Sequence, residues 1–276
     1  SFNIGRIQRF PRGNAHHNSN RNPKVNRIEN KVAIVTGGTQ GLGAAIAWQF
    51  AQAGAKAILT CGRHAENGSQ VSTKITQSTG VPVVFVEADL ESVADCRNVV
   101  SQADTRFGQV DILVNAAGIN PRQPADDVTP QSWNQTIQLN LSTPFFFAQA
   151  LVPGMKAAGY GRIINIASLQ SVRAFPDGIA YGASKGGVCQ LTRAMAEAWS
   201  SDGITCNAIA PGFFPTELTA PVFDDNERRR WAADQTAIGR NGELKDLAGI
   251  SVFLASPASD YITGQTIFVD GGFTAR

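Results

Sequence analysis

Histidine is almost missing from this chain. Only His16, His17 and His64 occur in 276 residues. None stands with cysteines or carboxylates at zinc-like spacing, so no metal site is expected. Cysteine is nearly as scarce. Cys61, Cys96, Cys189 and Cys206 are scattered, with no C-x-x-C pair. That excludes a disulfide framework and fits reduced core thiols in a cytoplasmic protein. No apolar run is long enough to span a bilayer. Charge of one sign is lacking too: 24 basic against 22 acidic residues leave +2, too little to drive binding to nucleic acid or a membrane. Acidic residues are absent from positions 1–28, where Arg6, Arg9, Arg12, Arg21, Lys24 and Arg27 occur among asparagines. That stretch reads as a basic arm, flexible or touching another subunit, of the kind found in tags and Arg-rich transit peptides. A nucleic-acid binder working through it has no motif beyond the charge.

What is present is a hydrophobic fraction of 43%, enough for a large core, and a regular alternation from 29 to 276. Short apolar runs, several of them rich in β-branched residues, predict strands over 32–36, 57–61, 83–86, 111–114, 162–167, 205–210 and 266–269. Helices are predicted over 44–53, 91–107, 131–158 with a break near Pro144, 180–201 and 243–255. The stretch from 213 to 226 reads as irregular. With no internal repeat or linker, this alternation predicts one α/β domain, a parallel sheet covered by helices on both faces. Between the first strand and the first helix lies Gly37-Gly38-Thr39-Gln40-Gly41-Leu42-Gly43. Such a turn lets the backbone approach a pyrophosphate at a helix N-terminus. Alone, it also fits a plain structural turn.

The chemistry concentrates between Ser168 and Lys185. Tyr181 and Lys185 are four apart, one above the other on a helix face. Ser168 ends a strand-like run, so its hydroxyl can sit across from them. A phenol of ordinary pKa, about 10, is a poor acid or base at neutral pH. A neighbouring ammonium favours the phenolate and makes Tyr181 a usable general acid/base. On these residues alone, a surface lysine beside a half-buried tyrosine reads equally well.

The wider pattern resembles the short-chain dehydrogenase/reductase family. Thr36-Gly37-x-x-x-Gly41-x-Gly43, Asp89, Asn115-Ala116-Ala117-Gly118, Asn140, Ser168, Tyr181-x-x-x-Lys185, and Pro211-Gly212 with Thr216 occur in the family's order and spacing over about 29–274. The resemblance implies a single-domain Rossmann fold with a seven-stranded parallel sheet, and a nicotinamide cofactor. It implies that Tyr181 protonates the substrate carbonyl, that Lys185 lowers the Tyr181 pKa and bonds the nicotinamide ribose, and that Ser168 orients the substrate oxygen. Asn140, in a kinked helix, would hold a water linking Lys185 to solvent. Gly37, Thr39, Gln40, Gly41, Leu42 and Gly43 would meet the pyrophosphate side, and Asp89 and Leu90 the adenine. Asn115, Ala116 and Gly118 would shape the ribose side, and Pro211, Gly212, Phe214 and Thr216 the carboxamide end. Family members are mostly homotetramers, some homodimers, assembled through the helices near 131–158 and 180–201 and the last strand.

The second strand ends without a carboxylate for a ribose 2′-hydroxyl, while Arg63 follows it and can pair a 2′-phosphate. NADP(H) is therefore expected over NAD(H). Substrate residues are expected beyond the strand ends: Arg122, Gln170, Arg173 and Phe175, along with the 213–222 region. The runs 115–122, 238–243 and 268–273 resemble the gluconate 5-dehydrogenase and deoxygluconate dehydrogenase branch. This implies a small-molecule ketone/alcohol pair, a keto sugar acid or another small polar ketone. Bulkier cyclic or acyl-carrier ketones, and a catalytically silent NADP-binding protein, remain the alternatives.

Overall fold

The computed structural model describes residues 27–276. The basic arm expected over 1–28 lies outside the described residues, except for Arg27 and Ile28. Ile28 is buried in one of the core clusters and bonds back to Ala53 through its backbone.

Seven strands, β1 Val32–Thr36, β2 Ala57–Gly62, β3 Val83–Glu87, β4 Ile112–Asn115, β5 Gly161–Ile166, β6 Ile204–Pro211 and β7 Thr266–Val269, form one sheet in the order β3-β2-β1-β4-β5-β6-β7. Every neighbouring pair is parallel. The helices are α1 Gly41–Gln52, α2 Ala65–Thr79, α3 Val93–Phe107, α4 Pro130–Ile137, α5 Thr143–Ala158, α6 Ile179–Trp199, α7 Ala220–Phe223, α8 Asn226–Asp234 and α9 Ala248–Ala255. This is the single-domain, doubly covered sheet that the alternation predicts.

Side chains on a strand alternate between faces, and β1 shows the consequence. Val32 and Ile34 join a core shared with Val99 of α3, Phe147 of α5 and Met195 of α6. Ala33 and Val35 join the opposite core, shared with Phe50 of α1 and Leu254 of α9. A strand buried on both faces must be apolar at every position, which is why these runs are continuous.

Three local expectations change. Helix α2 was not anticipated, because its apolar stripe is thin. Its inner face holds the small residues Gly68 and Ser72 and a single large apolar one, Ile75, and a Cβ at Gly68 would fall 2.2 Å from the Phe85 ring. Helix α7 interrupts the stretch that read as irregular, and α8 follows it where no element was expected, capped by Asp225, whose carboxylate accepts from the Glu227 and Arg228 backbone. The break in the long helix lies at a widened turn, Gln138–Ser142, one turn before Pro144. The cause is still proline. Pro144 has no N–H to offer the carbonyl of Asn140, and Thr143 N–H reaches back five residues to Gln138 instead of four.

Candidate active site

All strand C-termini face the same end of a parallel sheet. After β1 the chain runs outward to β2 and β3, then returns to place β4 on β1's other side. The crevice above β1 and β4 is thus the point where the order reverses, where such sheets bind ligands. A cleft of about 680 Å³ lies there. It runs from Gly62, Arg63 and His64 past Gly37 and Gly41 to Ser168, Tyr181 and Lys185, and ends at Phe213 and Trp231.

The glycine turn forms the floor of one half. Gly37 has φ +65°, and a Cβ there would fall 2.8 Å from the Ala117 backbone. At Gly43 a Cβ would fall 2.3 Å from the Gly37 carbonyl oxygen. No larger residue can make this turn so tightly. It delivers the N-terminus of α1, which has no acidic residue in its first turn and no side-chain cap from Gln40. Unsatisfied N–H groups at such an end favour an anion. The donor set therefore fits a pyrophosphate. Thr39, Gln40, Gly41, Leu42, Gly43, Asp89, Leu90, Ala116 and Gly118 line the cleft as expected, and so do Pro211, Gly212 and Thr216. Asp89 is not the cap of α3; Ser92 is. At the far end Arg63 is half exposed, 3.6 Å from Glu91.

Two expected cofactor residues lie elsewhere. Asn115 donates to Asn165 at 2.9 Å and to the Pro144 carbonyl at 3.3 Å, beneath the cleft floor. It binds β4 to β5 and α5. Phe214 is buried in the core, its ring filling the space beside Gly242.

The other half holds Ser168, Tyr181 and Lys185. Ser168 lies just past β5. Its Oγ accepts from Gln170 N at 3.1 Å and lies close enough to the Tyr181 hydroxyl to favour its phenolate. Lys185, one turn along α6, is buried and donates to the Ile166 carbonyl at 2.6 Å. Its ammonium is 5.7 Å from the Tyr181 ring centre. Burial lowers the Lys185 pKa to about 8. Burial also raises the Tyr181 pKa, opposed by the Ser168 hydroxyl and the Arg122 charge. The lysine was expected to lower it; in this structure Ser168 and Arg122 exert the lowering, and burial outweighs them.

Asn140 is fully buried in the widened turn. Its Oδ1 accepts from Ile119 N at 2.9 Å, and its Nδ2 donates to Ile119 O at 2.9 Å and Ser184 Oγ at 3.0 Å. The side chain thus clamps the segment after β4 onto α6, with both donors committed. Gly118 keeps the adjoining space open: a Cβ there would fall 3.1 Å from Asn140 Oδ1 and 3.7 Å from Lys185 Nζ.

Of the expected substrate residues, Arg122, Gln170 and Phe175 line the cleft. Arg122 adopts φ +53°, rare for a side chain of its size, and donates to the Leu218 carbonyl at 3.2 Å. Arg173 is exposed and not among the lining residues. Sequence reading missed Asp177, Arg228 and Trp231, which do line it. The Asp225 cap was the available signal for the last two.

A glycine turn before a helix N-terminus and a Ser–Tyr–Lys set, with the Tyr and Lys buried, meet at one crevice of a parallel sheet, the arrangement of a Rossmann-type oxidoreductase. The enoyl-(acyl carrier protein) reductase family model matches residues 37–274. The gluconate 5-dehydrogenase of Gluconobacter oxydans is 36% identical over 91% of this chain and 98% of its own length. The 2-dehydro-3-deoxy-D-gluconate 5-dehydrogenase of Escherichia coli is 40% identical over 90% and 97%. A gluconate 5-dehydrogenase structure from Burkholderia cenocepacia, in complex with NADP and tartrate, superposes with a TM-score of 0.87 at 38% identity, covering 92% of this chain and 98% of that one. The chain belongs to the short-chain dehydrogenase/reductase family.

Proposed function

We propose that this protein is an NADP(H)-dependent oxidoreductase that interconverts a ketone and a secondary alcohol on a small sugar acid. The observation that carries this reading is that Ser168, Tyr181 and buried Lys185 line one end of the cleft, opposite Arg63. The cofactor, when bound, supplies or accepts the hydride. Tyr181 delivers the proton to the carbonyl oxygen in reduction and withdraws it in oxidation. Ser168 donates a hydrogen bond to the same oxygen, stabilising the charge that develops there. Lys185 bonds the nicotinamide ribose, and the Arg122 charge favours the phenolate. Asn140 keeps its side chain for positioning, and the proton path opens beside Gly118, between Asn140 and Lys185. Gly37, Gly41 and the α1 N-terminus hold the pyrophosphate. Arg63 pairs the 2′-phosphate, and Arg122 pairs the substrate carboxylate.

The NADP complex of the Burkholderia relative supports the cofactor, and the names of the relatives above support the sugar acid. The experiment is a panel of sugar acids, cyclic ketones and acyl thioester ketones, followed by NADPH consumption and NADP reduction. Turnover confined to steroid-sized or long acyl ketones sinks the sugar-acid reading.

A further inference from the structure

Arg63, at the nucleotide end of the cleft, already has an anion beside it. Its guanidinium stands 3.6 Å from Glu91 Oε1. That is longer than a hydrogen bond, so the pairing is one of charge and is loose. Glu91 itself is held firmly. Gln135 of α4 donates to the same Oε1 at 3.0 Å, Gln138 donates to the Glu91 carbonyl at 3.1 Å, and Glu91 N donates to Asp89 Oδ1 at 3.1 Å. Side-chain exposure runs the same way, 52% for Arg63 and 25% for Glu91. The arginine is free to swing; the carboxylate is not. Asp89 and Glu91 both line the cleft along with Arg63, so this end carries two carboxylates beside one guanidinium.

We propose that Glu91 is a specificity-determining residue for the nucleotide: a built-in counter-ion of Arg63 that holds down affinity for a 2′-phosphorylated cofactor and narrows the gap between NADP(H) and NAD(H). The inference rests on the reading that Arg63 pairs the 2′-phosphate. A phosphate monoester is largely a dianion at neutral pH. It gains Arg63 only by taking the guanidinium from Glu91, and a carboxylate tied to α4 does not move out of its way. Like charges at such range disfavour one another, and partial exposure weakens the effect without abolishing it. A ribose 2′-hydroxyl carries no charge and meets neither cost. Glu91 thus acts on the difference between the two cofactors.

The test is fluorescence titration of NADPH and NADH into the wild type, E91Q, R63A and the double variant. E91Q keeps an oxygen to accept from Gln135 and removes only the charge, and binding of NADH verifies its fold. The ratio of the NADH Kd to the NADPH Kd is expected to rise about fivefold or more in E91Q at low salt, through tighter NADPH binding. Raising salt from about 0.02 M to about 0.5 M is expected to erase most of that gain. In the R63A background the same substitution is expected to yield less than half of it, because the counter-ion then has no arginine to hold. A ratio unmoved or lowered in E91Q, or a gain indifferent to salt, overturns the inference; if R63A still weakens NADPH selectively, the Arg63 reading stands. Equal weakening of both cofactors in R63A overturns that reading and this inference with it.

Discussion

Lys185 donates from Nζ to the Ile166 carbonyl oxygen at 2.6 Å. An ammonium held this deep has lost its water, and one backbone bond replaces only part of it. Its pKa accordingly falls from 10.5 to about 8. Below pH 8 the charge is present in the folded and unfolded chain alike, and the folded state carries the whole desolvation cost. Between 8 and 10.5 the unfolded chain keeps a proton that the folded one has released, so the cost fades as pH rises. Lys185→Met removes this dependence. Thermal unfolding of both proteins from pH 7 to 9.5 should show the wild type gaining on the variant as pH rises, by an amount on the order of 3 kcal/mol at most. Parallel pH curves would rule out a depressed lysine.

The role proposed for Arg63 is to separate the two cofactors. Losing a charge-assisted pairing with a 2′-phosphate costs about 1.5–3 kcal/mol, roughly ten- to a hundredfold. Arg63→Ala should raise KM for NADPH by that factor and leave KM for NADH within about twofold. Equal effects on the two cofactors, or a wild-type preference for NADH, contradict the assignment.

Asn140 makes three buried or part-buried bonds, two of them to Ile119. Asn140→Ala leaves the part-buried Ile119 amide and carbonyl, and the buried Ser184 hydroxyl, without this partner. The expected loss is about 2–4 kcal/mol in urea unfolding, given about 1–3 kcal/mol for each stranded group. Ser168→Ala, which touches a part-buried hydroxyl, should cost less while removing more activity. A stability change in Asn140→Ala below about 0.5 kcal/mol would contradict the clamp.

Gly118 supplies a different readout. A methyl at Gly118 enters the gap between Asn140 Oδ1 and Lys185 Nζ. Gly118→Ala should lower kcat by about tenfold or more, with the pH profile displaced. A kcat within about twofold of wild type would show that the gap carries nothing.

The strands were legible because burial on both sheet faces leaves each of them a continuous apolar run. The grouping of Ser168, Tyr181 and Lys185 was legible because Tyr181 and Lys185 share a helix face and Ser168 ends a strand. What escaped depended on contacts between distant segments. Asn115 matches the motif, but its partners, Asn165 and the Pro144 carbonyl, are visible only in three dimensions. Phe214 and Phe213 are neighbours in sequence, yet one enters the core and the other the cleft. Arg173 lies between two cleft residues, Gln170 and Phe175, on a turn that directs it outward. Helix α8 went unassigned, and its place in the site follows from the ring contacts of Trp231, which are made with Phe213 and Phe273 from distant segments. Pro144 did announce a break in the long helix, but a proline disturbs the carbonyl one turn earlier, so the break falls at Asn140.

The central claim is that Tyr181 moves the proton, and Tyr181→Phe tests it most directly. The ring stays and only the hydroxyl leaves, so the buried packing is preserved. On whichever ketone the wild type reduces best, kcat/KM should fall by about a thousandfold, while NADPH affinity, measured by fluorescence titration, stays within about threefold. Turnover within about tenfold of wild type, with NADPH bound normally, would show that another group transfers the proton.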